Sequence, residues 1–242
     1  MKKYLMILML ALLPALTAGA APVNGKMSAD VDPRDKESLQ RGAQAFANYC
    51  MACHQAELMR YSRVAQDLGL SSEDVEEFLI FTPGTQVVDV MRNAMDSEDS
   101  LDWFGAPAPD LTMTARRHGP DWVYTFLNGF YKDENQQFGV NNLVISGVSM
   151  PHVLQELQGL PEAIREDVDG QQRMVGLELN EAGMMSPAEY RRFTRDITNF
   201  MDYIAEPVKA ERQRLGVYVI GFLLILLVLT YLLKKEFWRD VH

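Results

Sequence analysis

Both cysteines of this chain fall within one five-residue segment, Cys50-Met51-Ala52-Cys53-His54. Two thiols at that spacing can add across the two vinyl groups of one haem. The adjacent histidine then lies under the iron as proximal ligand. A thioredoxin-type redox pair would need a surrounding βαβ pattern, which is missing. A zinc site would need further cysteines. No cysteine remains for a disulfide, so a disulfide-stapled scaffold is excluded. A single copy of the motif predicts a single, covalently attached haem c.

The two ends of the chain predict where this motif resides. Lys2 and Lys3 precede an uncharged run from Tyr4 to Leu16, followed by Thr17-Ala18-Gly19-Ala20-Ala21. A basic start, a short apolar run and a small-residue site read as a signal peptide, residues 1–20, cut after Ala20 or Ala21. About 13 residues are too few to span a bilayer. A second run, Leu215–Leu233, holds no charge. As a helix it reaches about 28 Å, close to the hydrocarbon thickness. Lys234 and Lys235 close it, and Trp238 suits the interface. Basic residues balance across the span: Lys209, Arg212 and Arg214 before it, Lys234, Lys235 and Arg239 after it. Orientation therefore rests on the signal peptide. It places residues 21–206 outside the cytoplasmic membrane, 207–233 as linker and anchor, and 234–242 as a cytoplasmic tail.

Composition narrows the function. The formal net charge is −10, and the exported part, residues 21–214, carries 18 basic and 31 acidic residues. No basic face for nucleic acid is available. Acidic residues cluster at Glu73, Asp74, Glu76 and Glu77, and at Asp96, Glu98, Asp99 and Asp102. Such runs form a solvated face or a dock for a basic partner.

Helical spacing of Leu39, Ala43, Phe46, Ala47 and Cys50 predicts a helix leading into the motif, with Asp32-Pro33 as its N-cap and first residue. Ser186-Pro187-Ala188-Glu189 reads as a capping box opening a second helix. Its apolar stripe is Tyr190, Phe193, Ile197, Phe200, Met201 and Ile204. Asp169-Gly170 is a candidate hairpin turn. Two methionines precede prolines and are candidate sixth ligands, Met150 and Met185. The capping box already explains the serine and proline after Met185, so spacing favours Met150. His118 and His152 read as structural.

Beyond these motifs, the chain resembles the cytochrome c1 family. The resemblance runs from about Ser38 to Trp238. It rests on Arg41-Gly42 before the cysteine motif, Arg60-Tyr61-Ser62-Arg63 after it, and Ala108-Pro109-Asp110-Leu111. Further along it rests on Ala115-Arg116-Arg117-His118-Gly119, the segment Asp121–Phe130, Asn141-Asn142, Met150-Pro151 and Ala205-Glu206-Pro207. It implies Met150 as axial ligand, a haem pocket lined by Pro109 and Leu111, and Arg117 facing a propionate. It implies a mainly α c-type haem domain with long loops and one C-terminal transmembrane helix. It also implies the haem subunit of a dimeric bacterial inner-membrane bc1 complex, with the haem domain in the periplasm. The implied partners are cytochrome b, the Rieske iron–sulfur protein as donor, and a soluble or membrane-bound c-type cytochrome as acceptor. Trp122 departs from the tyrosine frequent in the family, and residues 161–181 do not clearly match.

These readings converge on one-electron transfer, with no catalysis by the isolated chain. A membrane-anchored monohaem cytochrome serving a different terminal reductase is the alternative. A haem sensor would need an output domain, and a nine-residue tail supplies none.

Overall fold

The computed structural model describes residues 26–168 and 171–241. The signal-peptide segment and the Asp169-Gly170 turn lie outside the described residues. The elements, in order, are α1 (Lys36–Tyr49), β1 (Ala56–Arg60), α2 (Tyr61–Leu68), α3 (Ser72–Phe78), β2 (Val90–Met91), α4 (Ser97–Phe104), α5 (Thr114–His118) and α6 (Pro120–Asn128). β3 (Phe130–Lys132), β4 (Val140–Asn142), α7 (Gln155–Gln158), β5 (Glu162–Val168) and β6 (Gln171–Glu178) follow. α8 (Pro187–Ala205), α9 (Lys209–Phe237) and a 3₁₀ turn (Arg239–Val241) complete the chain. The architecture is mainly α, as the resemblance implies. Among the described residues, three antiparallel two-stranded ribbons are added, β1–β2, β3–β4 and β5–β6.

The domain is built on the crossing of α1 and α8. Leu39, Ala43, Phe46 and Ala47 of α1 are buried against Ile197, Phe200, Met201 and Ile204 of α8. The Phe46 and Phe200 rings lie 5.5 Å apart. Gly42 permits this approach. A Cβ at that position would stand 2.0 Å from the Asp196 carbonyl oxygen and 2.9 Å from the Phe200 Cβ. Polar bonds lace the same seam: the Ser38 hydroxyl donates to Asp196 (2.6 Å) and Arg41 pairs with the same carboxylate (2.7 Å).

Helix starts follow side-chain chemistry. Ser186 caps α8 in a capping box with Glu189, with Pro187 in the first turn. α1 begins three residues later than the sequence suggests. Asp32 is committed to a turn, its carboxylate accepting from the Arg34 amide and guanidinium, and Asp35 caps the helix through the Ser38 amide. Several acidic residues also have local roles. Glu73 and Asp74 lie in the first turn of α3, and Glu98 and Asp99 in the first turn of α4, where the helix dipole favours negative charge.

α8 ends at Ala205, and Glu206-Pro207-Val208 leads into α9. Asp202 and Lys209 pair at 2.6 Å across this joint, and Arg212 pairs with Glu206. α9 is 29 residues long, and among the described residues it is the one helix long and apolar enough to cross a membrane.

Candidate haem site

α1 delivers the cysteine motif. Cys50 is its C-cap, donating to the Phe46 carbonyl, and its own carbonyl accepts from the amides of Cys53 (3.1 Å) and His54 (2.8 Å). The motif is therefore one tight coil continuing the helix. Met51, between the cysteines, turns inward, its sulfur 3.7 Å from the hydroxyl of the fully buried Tyr61. Burial pushes that phenol up to about 12. Both cysteines are free thiols, and burial pushes Cys50 up to about 12.

His54 is buried, 9% exposed. Its Nδ1 lies 2.8 Å from the Pro109 carbonyl. A carbonyl can only accept, so Nδ1 carries the proton and Nε2 keeps its lone pair. Nε2 has no protein partner among the described residues. Burial lowers the pKa of this histidine, against the raising influence of the Pro109 bond and the Asp110 charge. The neutral, ligand-competent imidazole is favoured.

The segment carrying Pro109 is fastened along the residues that follow the motif. The Leu111 amide donates to the Gln55 carbonyl (2.8 Å), the Glu57 amide to Asp110 (2.7 Å) and the Leu58 amide to Thr112 Oγ1 (3.3 Å). α4 backs this segment, because buried Ser100 accepts from the Ala108 amide at 2.8 Å. The resemblance implies Pro109 as a lining residue of the pocket, and in the structure its carbonyl holds His54. Reading the residues alone missed Ser100, Tyr61 and Gly42 as parts of the site's frame. A buried serine or a helical glycine carries no local signal of its partner.

The other predicted residues lie on separate elements. Arg117 is exposed on α5 and makes no ion pair among the described residues. Met150 is half-buried in the loop between β4 and α7. Met185 packs against the core, its amide donating to the Leu157 carbonyl. His118 stacks on Trp122 at 4.4 Å, and Trp122 on Phe126 at 5.5 Å. Trp122 thus packs between rings at the position where it departs from the family. His152 is buried and stacked on Phe130 at 4.6 Å.

The donor set suits a c-type haem: two free thiols on one coil, and beside them an imidazole with its proton held on the far nitrogen. The comparisons agree. The family model described as the Cytochrome C1 family matches residues 27–174 and 178–241. Only residues 175–177 of the segment that did not clearly match are left out. Cytochrome c1 of Allochromatium vinosum is 45% identical over the whole of both chains. The ammonia monooxygenase gamma subunit of Nitrosomonas europaea is 45% identical over 88% of each chain. Cytochrome c1 of Rhodospirillum rubrum is 25% identical over 86% of this chain and 83% of its own. With its cysteine coil, its oriented histidine and a match spanning nearly all its length, the chain belongs to the cytochrome c1 family.

Proposed function

We propose that this chain takes one electron from a Rieske iron–sulfur protein and passes it to a c-type cytochrome, as the haem subunit of a bc1 complex that also holds cytochrome b. The observation that carries the reading is the His54–Pro109 bond, which leaves Nε2 available beside two free thiols. When bound, the haem supplies a one-electron couple.

The chain's own residues hold and tune it. Cys50 and Cys53 each contribute one thioether. His54, kept in one tautomer by Pro109, and Met150 would hold the iron, and a methionine thioether there would raise the potential. Pro109 and Leu111 would wall the pocket, and Arg117, whose side chain has no protein partner among the described residues, would pair with a propionate. α9 anchors the domain, which stands in the periplasm on the inner membrane after removal of residues 1–20.

Two variants test the ligand. Met150→Leu should abolish the methionine–iron charge-transfer band of the oxidised protein and lower its potential, whereas Met185→Leu should do neither. Exchanged results would make Met185 the ligand.

A second reading follows from the Nitrosomonas relative, whose name places it with ammonia monooxygenase. On that reading the chain is an anchored monohaem cytochrome of another electron-transfer assembly. Gentle detergent purification of the tagged chain separates the two. Cytochrome b and a Rieske protein should copurify with it, and their absence beside a different set of redox subunits would select the second reading.

A further inference from the structure

The loop that carries Met150 lacks regular structure from Leu143 to Pro151, yet two of its points are fixed. Asn141 and Asn142 end β4 and are 5% and 2% exposed. Burying an amide side chain is costly unless its groups are satisfied, and here the partners are mostly backbone. Asn142 donates to the Phe126 carbonyl of α6 (2.8 Å) and accepts from the Val144 amide (2.9 Å). Asn141 donates to Asp133 (3.0 Å) and accepts from the Gly147 amide (2.9 Å) and from the Asn142 amide (2.8 Å). Each side chain thus joins a fixed element to a point in the loop. Gly147 takes φ +70, with no neighbour closer than 4.0 Å to an added Cβ. Its conformation, not crowding, calls for glycine. Met150 follows three residues later, so its Cα lies within about 10 Å of a pinned amide.

We infer that Asn141 and Asn142 are positioning residues for Met150, clamping its loop so that the thioether is presented with little loss of freedom on ligation. The inference rests on Met150 being the distal ligand. Both side chains are engaged by protein partners. Both act by removing conformational freedom that a weak neutral ligand would otherwise have to overcome. A loop held only by its ends would leave the sixth position open part of the time.

The test uses the full-length, haem-loaded chain in detergent, with signals normalised to covalent haem. Asn141→Ala combined with Asn142→Ala should remove more than half of the methionine–iron charge-transfer band. It should lower the midpoint potential and allow carbon monoxide to bind the reduced form. In the unaltered protein the Val144 and Gly147 amides should be protected from hydrogen exchange, and in the double variant they should lose that protection. A full band and an unchanged potential alongside lost protection would overturn the clamp. So would rapid exchange of both amides in the unaltered protein. Should the double variant not fold, Gly147→Ala strains the loop without removing a side-chain partner. It should weaken the band, and an unaltered band there would equally overturn the inference. Met150→Leu separates the two readings: if it leaves the band intact, Met150 is not the ligand and the clamp is overturned with that assignment.

Discussion

Gly42→Ala should destabilise the haem-bearing domain by about 3 kcal/mol, the upper end of the usual cost of overpacking. Gly42→Val should abolish cooperative folding. The added carbon would meet the backbone of α8, 2.0 Å from the Asp196 oxygen and 2.7 Å from its carbon. A flexible side chain could swing away from such a contact, but a helical carbonyl cannot. Relief requires α1 and α8 to separate. Separation would open the Phe46–Phe200 contact and loosen the Ser38 and Arg41 bonds to Asp196. Net stability of a domain this size is commonly about 5–15 kcal/mol, so alanine removes a large fraction of it. Urea unfolding of the haem-loaded protein would measure this, and a midpoint unchanged by Gly42→Ala would show that the helices adjust freely.

Cys50→Ala with Cys53→Ala should leave no haem on the denatured polypeptide, while each single variant keeps it. An S–H bond adds across a vinyl group, forming one C–S and one C–H bond, so each cysteine supplies one independent link. A single variant keeps one vinyl group conjugated with the ring, and its absorption bands should move to longer wavelength. Haem stain after denaturing electrophoresis and the spectrum in alkaline pyridine report both effects. Haem extracted from the unaltered protein by acidic acetone would show that neither link exists.

Much of the frame was legible because it repeats or caps. Five of the six residues of the α8 stripe are buried where their spacing puts them, Phe193 being half-buried, and Ser186 and Glu189 close the expected capping box. The cysteine motif announces its chemistry in five residues. What escaped depends on partners distant in sequence. Asp32 and Asp35 offer the same carboxylate, and only the Arg34 guanidinium decides which is left to cap α1. Gly42 has the same symbol as any helical glycine until the Asp196 carbonyl lies against it. Pro109 matters through a backbone oxygen, which every residue possesses. The short ribbons β1–β2 and β3–β4 are set by pairing, and strands of two to five residues are too short to show a clear period.

The crossing of α1 and α8 also sets an order of events. A polypeptide that emerges N-terminus first presents Cys50 and Cys53 long before Pro187 has appeared. During that interval Leu39, Ala43 and Phe46 have no opposite helix to cover them, and the coil at the end of α1 stands open. Closure waits for the last soluble helix, which is continuous with the anchor apart from three residues. Until then the cysteine coil has no packed core behind it, and the arrival of α8 supplies that backing.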